Sequence, residues 1–371
     1  MSEYLINENV LHRFIKELFI ISGVSKNQAK IITENLILAD KRGINSHGTS
    51  RILSHYLPMI ENKQVSLDSK PSRKRVSPYM SVYNGNNCFG HYSSYKAMKD
   101  CIRISKKIGF SLATVFNSTN FGIASYYSLL ASENGMIGIS LTNGYPAVVP
   151  PGGTAPMLGT NALAISFPKK DEYPILFDFS LSSTSLGKLY LASKMNEKVP
   201  SIYCASSLLK ELGLLNSVQV NPDVIYTNRM ISSIGAGNVF SEYKGFLVAL
   251  IFELLICAIG DGNFSFSQKK GEASHLFIVI NPENLNGIDR LKEKLDIFTD
   301  YINQYQVSNG EDQLRVPGRR GFIKEQESKT YGIRVEKNIL NELITIARKN
   351  NLSEVLLNEI EINTGCCIEE H

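Results

Sequence analysis

Apolar positions recur at helical spacing from the start of the chain. Val10, Phe14, Leu18 and Ile21 fall on one face, Leu11 and Ile15 widen it, and Gly23 supplies a stop. Ser25-Lys26-Asn27-Gln28 reads as a capping box that opens a second helix, with a buried stripe of Ala29, Ile32, Leu36 and Ala39 and an end at Gly43. A third helical pattern after Gly48 carries Ile52, Leu53, Tyr56, Leu57 and Ile60. From about Pro78 the pattern changes to short apolar runs alternating with amphipathic stretches. Strands are predicted over residues 80–83, 110–116, 137–142, 162–167, 175–179 and 275–280, and helices over 92–106, 123–134, 245–259, 289–304 and 338–349. Residues 201–240 are polar and Gly-rich and read as loops, 314–320 reads as a loop, and the tail 361–371 is expected to fray.

This alternation implies an α/β fold, a mixed sheet with helices packed on it. No GxGxxG follows a strand, so a Rossmann dinucleotide site is not supported. Three regions follow: a helical region over 1–70, an α/β core over 71–320, and a C-terminal helical region and tail over 321–371 packed alongside.

Composition narrows the class. The 371 residues are 43% hydrophobic and 20% charged, a balance found in soluble globular proteins with a sizeable core. The net charge of +4 and the lack of long Lys/Arg runs argue against a nucleic-acid partner. The first residues lack the basic-then-apolar pattern of a signal peptide and no apolar stretch reaches transmembrane length, so a cytoplasmic protein without a membrane partner is expected. Cys88, Cys101, Cys204, Cys257, Cys366 and Cys367 show no CxxC spacing, which predicts reduced thiols and no metal site.

The densest candidate chemistry lies in Arg42-Gly43-Ile44-Asn45-Ser46-His47-Gly48-Thr49-Ser50-Arg51, between the second and third helical patterns. An imidazole exchanges protons near neutral pH, and an arginine fork grips a carboxylate through two hydrogen bonds. Together they point to acid/base chemistry on a small organic acid. A turn histidine that only caps a helix fits the same residues.

Six segments in order bear on that choice: the one ending Ser46-His47-Gly48; Asn117-Ser118-Thr119-Asn120-Phe121-Gly122; Pro150-Pro151-Gly152-Gly153 with Met157-Leu158-Gly159-Thr160-Asn161; Phe177-Asp178-Phe179-Ser180 with Gly187-Lys188; Tyr243-Lys244-Gly245-Phe246; and Arg315-Val316-Pro317-Gly318. Read together, over nearly the whole chain, they resemble the malate/L-lactate dehydrogenase family, which is distinct from the Rossmann lactate and malate dehydrogenases and includes ureidoglycolate, sulfolactate and diketogulonate oxidoreductases and piperideine-carboxylate reductases. The resemblance implies a non-Rossmann NAD(P)-binding α/β fold, a homodimer, and hydride transfer between a nicotinamide and a small 2-keto/2-hydroxy acid or 2-imino acid. It implies His47 as proton donor, Arg51 on the substrate carboxylate, and Thr160 and Asn161 in the pocket. For the cofactor it points to Gly144, Asp178, Phe179, Ser180, Lys188, Tyr243 and Lys244 at a helix start, and Gly318 with Arg319; NAD against NADP stays open.

The chain also departs from the family. The usual Asn-Ser-x-His-Phe-Gly histidine is Asn120, which hydrogen-bonds but does not exchange a proton at working pH. The usual Pro-Gly-Glu has become Pro317-Gly318-Arg319, added positive charge that fits a 2′-phosphate. His91 stands where a Gln is common, as a substitute imidazole or an ordinary strand-end histidine. Either His47 suffices, or the chain is a specialised biosynthetic imine reductase or a catalytically degenerate nucleotide-binding member of the family.

Overall fold

The structure, a computed structural model, describes residues 2–169, 173–237, 239–305, 314–363 and 367–369. The chain enters on a short strand, β1 (Ser2–Ile6), followed by α1 (Glu8–Ile21), α2 (Lys26–Lys41) and, after a tight turn, α3 (Leu57–Glu61). Next come β2 (Ser72–Arg75), β3 (Met80–Asn84), α4 (Gly90–Ile108), β4 (Phe110–Thr119), α5 (Ser125–Ser132), β5 (Ile137–Thr142), β6 (Ala162–Phe167) and β7 (Ile175–Ser180). A small lobe holds α6 (Leu186–Lys194), β8 (Val199–Pro200), α7 (Ser206–Glu211), β9 (Gln219–Val220) and α8 (Pro222–Asn228). The chain then passes through α9 (Val239–Cys257), β10 (Glu272–Ile280), α10 (Ile288–Gln304), α11 (Arg319–Tyr331), β11 (Ile333–Glu336), α12 (Lys337–Lys349), α13 (Glu354–Asn363) and β12 (Cys367–Glu369).

The main sheet has seven strands in the order β2-β3-β4-β10-β5-β6-β7. Only β3 and β4 pair parallel; the other neighbours are antiparallel, as the predicted mixed sheet requires. One face packs on α4 and α5, where Ala97, Met98, Cys101 and Tyr127 meet Ala113, Val115 and Phe277. The other packs on α9, whose Ile256 and Cys257 meet Leu141 and Leu276. Apolar residues on both faces of β4 and β10 explain why these central strands read as continuous runs rather than as alternation.

A second core unites the two ends of the chain. Phe14, Leu18, Leu36, Leu340, Leu343 and Leu357 are all fully buried in one cluster, each worth about 1.5–3 kcal/mol of burial. β1 lies between β11 and β12 in a three-stranded sheet.

Several local expectations change. Ser25 makes no side-chain capping bond; Gln28 instead accepts from Phe89 N at 2.9 Å and donates to the carbonyls of Ser66 and Ser69, so tertiary partners replace the capping box. The stretch read as loops over 201–240 contains the small lobe's short elements, held by its own core of Leu208, Leu209, Ile225 and Ile231. Arg319 and Arg320 open α11 rather than continuing a loop. Residues 361–363 complete α13, and 367–369 pair with β1 instead of fraying; the other tail positions, Cys366 among them, lie outside the described residues. Cys88, Cys101, Cys204 and Cys257 are free and buried.

Candidate active site

One end of the main sheet gathers the candidate residues. β4 leads into Asn120, β5 into Asn143 and Gly144, Thr160 and Asn161 precede β6, and Lys270 and Gly271 precede β10. The register puts these ends side by side: Glu272 faces Thr119, and His275 faces both Val115 and Thr142. They border a cleft of about 250 Å³, closed by Arg51, Ser54 and His55 on one side and by Tyr226 and Arg229 from the end of α8 on another.

The segment that carries Arg51 is anchored from beneath. Buried Asp40 accepts the Thr49 amide at 2.8 Å, and a Cβ on Gly48 would run into the Asp40 carboxyl. Burial pushes Asp40 up from 3.8 to about 7. A wide π-type turn over Ile52–Tyr56 follows, a distortion common at functional sites. Of the two arginines flanking His47, Arg42 is taken by Glu325 at 2.9 Å, whereas Arg51, among the described residues, reaches only Ser54 Oγ at 3.4 Å and faces the cleft.

His47 sits in the turn before Arg51, with Nδ1 3.0 Å from Ser46 Oγ. Gly187 presses on this turn, since a Cβ there would strike the Ser46 carbonyl oxygen; close packing accounts for that glycine. Burial, then the Arg51 and Lys188 charges, push His47 down to about 3. It adjoins Arg51 and Lys188 but is not among the cleft's lining residues.

Asn120 does line the cleft, and its amide orientation is fixed. Its Oδ1 accepts from the Gly122 amide and from the Tyr56 hydroxyl, both at 3.0 Å. The Nδ2 is therefore the end turned to the cleft, a donor and nothing else. Tyr56 in turn lies 3.3 Å from His91 Nε2. Because the hydroxyl proton goes to Asn120, His91 Nε2–H donates to the Tyr56 oxygen, and Nδ1 carries a lone pair without a partner among the described residues. His91 is fully buried and pushed down to about 3. It stands behind Asn120 as a support, not as a cleft imidazole.

Thr160 and Asn161 both line the cleft. Asn161 adopts φ +42° and donates Nδ2 to Glu253 Oε2 at 2.9 Å, so that end is committed to the fold; its Oδ1 is buried with no partner among the described residues. Glu253 is 2% exposed and also accepts from Asn143 Nδ2 and from the backbone and side chain of Ser265. This carboxylate ties α9 to both β-strand ends that form the cleft floor.

The cofactor candidates separate. Gly144 lies on the cleft with open space where a Cβ would stand. Asp178, Phe179 and Ser180 close β7, one strand beyond; Leu181 N bonds the Thr160 carbonyl, and Asp178 accepts the Ser125 amide at 3.2 Å. Burial raises the Asp178 carboxyl. Lys188 is exposed in the first turn of α6, beside His47. Gly318 packs on Leu176 near the start of β7, about 13 Å along the strand from Ser180, and Arg319 is exposed. Tyr243 and Lys244 do not open a helix: α9 starts at Val239, so their amides are interior, and Gly245 is required because a Cβ would strike the Ile234 carbonyl. An open backbone edge at Gly144 beside an orphaned acceptor on Asn161 fits a flat ring bearing a carboxamide.

Sequence reasoning missed His55, Tyr56, Arg229, Lys270 and Glu253. His55 had a signal: it lies four residues after Arg51, hence on the same helical face. Arg229 had none, because residues 201–240 show no period. Arg51, Arg229 and Lys270 all line the cleft without a carboxylate partner among the described residues, and Glu272 is the acidic side chain there. Arg229 instead donates to the Pro146 and Tyr145 carbonyls and lies 4.9 Å from the Tyr145 ring.

Residues 6–344 match the family model described as malate/L-lactate dehydrogenase. A malate dehydrogenase of Pyrococcus abyssi is 31% identical over 349 residues, covering 93% of this chain and 94% of the relative. A malate/(S)-sulfolactate dehydrogenase of Methanothermus fervidus is 31% identical over 338 residues, covering 89% and 93%. Among solved structures, the malate dehydrogenase of Pyrococcus horikoshii superposes with a TM-score of 0.84 at 28% identity, covering 95% of this chain and 97% of that one. The malate dehydrogenase of Entamoeba histolytica gives 0.87 at 26%, covering 94% and 98%. These relatives are named dehydrogenases, which imply a nicotinamide cofactor. The chain belongs to the malate/L-lactate dehydrogenase family and is an oxidoreductase.

Proposed function

We propose that the protein is an NAD(P)-dependent dehydrogenase of a short 2-hydroxy acid that carries a second acid group, interconverted with the 2-keto acid. The carrying observation is the charge of the cleft: three cations, Arg51, Arg229 and Lys270, against one carboxylate, Glu272. Cations facing a cleft without counter-ions favour an anion, and a dianion balances this set. Malate and sulfolactate, named for two relatives, both have two acid groups.

Arg51 grips the C1 carboxylate and Arg229, with Lys270, the second acid group. Asn120 Nδ2 donates to the C2 oxygen and draws off charge as it develops. His47 stands in the turn before Arg51 and outside the cleft lining, so we assign it to positioning Arg51 rather than to the proton transfer that its motif implies. When bound, a nicotinamide accepts or supplies the hydride at C2; Gly144, Asn161, Asp178, Phe179, Ser180 and Lys188 are the residues we assign to hold it. Gly318 and Arg319 lie farther along β7, where Arg319 would favour a 2′-phosphate. Tyr243 and Lys244 lie on α9, whose outward face also exposes Leu247, Ile251 and Leu254; we assign this face to a homodimer.

The test is a substrate panel. L-malate, 3-sulfolactate and L-lactate are offered with NAD+ and with NADP+. A kcat/KM for either two-acid substrate at least about tenfold above that for lactate is expected. Preference for lactate contradicts the reading.

A further inference from the structure

Dehydrogenation of a 2-hydroxy acid needs a group to take the hydroxyl proton, and Asn120 offers only N–H donors to the cleft. His91 is walled off behind Tyr56. Of the cleft's lining residues one carries an imidazole, His55, in the π-type turn after Arg51. Its Nε2 is buried without a hydrogen-bond partner, and among the described residues its Nδ1 has none either. The ring borders the cleft, and Nδ1 is the nitrogen left less enclosed. The ring is fixed by packing, 5.1 Å from the Tyr56 ring in an edge contact, and not by a second polar group.

We propose that His55 is the acid/base that exchanges a proton with the substrate's C2 oxygen, in place of the imidazole lost at Asn120. This rests on the reading of the cleft as a site for a two-acid substrate. In the oxidative direction the neutral ring accepts the proton from the 2-hydroxyl. The O–H pair becomes the second C–O bond, and the C2–H pair leaves as hydride to an oxidised nicotinamide dinucleotide. In the reverse direction the hydride forms the C2–H bond, the C=O π pair moves to oxygen, and protonated His55 supplies the oxygen's proton.

The surroundings couple this proton to the substrate's charge. Burial, then Arg51 of its own segment, Arg229 from the end of α8 and Lys270 from the turn before β10, hold the ring neutral in the free enzyme; His91 of α4, itself neutral, lies behind Tyr56. Tyr56, Tyr145, Tyr226 and Glu272 complete the titratable set around it among the described residues. Two substrate acid groups offset the three cations, so binding a dianion raises the proton affinity of His55. The free enzyme thus holds a neutral ring, and a bound dianion of either oxidation state brings it towards protonation, so that it serves as base for the hydroxy acid and, once protonated, as acid for the keto acid.

The experiment is calorimetric titration with malonate, a dianion that cannot be reduced, in the presence of whichever nicotinamide dinucleotide the enzyme binds. Buffers of different ionisation enthalpy report proton uptake. Net proton uptake on malonate binding near pH 7.5 by the wild type is expected, with none by His55→Gln, alongside a fall in turnover of about 10²–10⁴-fold. Uptake that survives in His55→Gln and disappears in His47→Gln overturns the proposal in favour of His47. Malonate bound by the wild type with no proton uptake also overturns it, and needs no variant to fold. No malonate binding at all contradicts the two-acid reading on which it stands.

Discussion

Tyr56 donates its hydroxyl proton to Asn120 Oδ1 across 3.0 Å and so decides which end of that amide meets the substrate. Tyr56→Phe leaves the amide oriented by the Gly122 N–H alone and the buried His91 Nε2 without its partner. The expected result is a roughly tenfold loss in kcat/KM and about 1–3 kcal/mol of stability. If the two residues act as one unit, Tyr56→Phe added to Asn120→Ala costs little further activity, which a double-mutant cycle measures directly.

Asp40 gives the fold a pH dependence of defined sign. Its folded value is raised to about 7 from 3.8, so the folded state holds the extra proton between those limits. Stability from this group is complete below about pH 3.8 and is lost as pH rises through 7. Roughly 2 kcal/mol of the loss falls between pH 5 and 7. Urea unfolding at those two pH values is expected to show it, and Asp40→Asn to flatten it.

Glu253 accepts from Asn143, Asn161 and Ser265 while 2% exposed. Glu253→Ala strands those donors, and a destabilisation of about 3–5 kcal/mol is expected. Denaturant midpoints at constant slope check it.

On α9, Ile251 and Leu254 are 53% and 55% exposed. Ile251→Arg is expected to convert a dimer to monomers by sedimentation; an unchanged mass removes α9 from the interface.

What was legible in the sequence follows from local against distant causes. The β5 and β6 strands and the stripe of α2 are strongly periodic, and they fall where the pattern places them. The six motifs contain Asn120, Thr160 and Asn161, and the resemblance they carry pointed to Arg51 and Gly144; all five line one cleft. Nothing in the sequence could orient the Asn120 amide, because Tyr56 and Gly122 do that in three dimensions. The capping box at Ser25 failed because Gln28 found better partners at Phe89 and Ser66. Arg229 was invisible because the small lobe is built of elements of two to nine residues, too short to show a period.

The central claim is that this cleft selects a 2-hydroxy acid by its second acid group, through Arg229. It is tested most directly by kcat/KM for L-malate and L-lactate in the wild type and in Arg229→Met. A loss of about 10- to 100-fold is expected for malate, as for one charge-assisted hydrogen-bonded pair, with lactate changed by less than about threefold. Equal losses for both substrates, or no loss for malate, would contradict it.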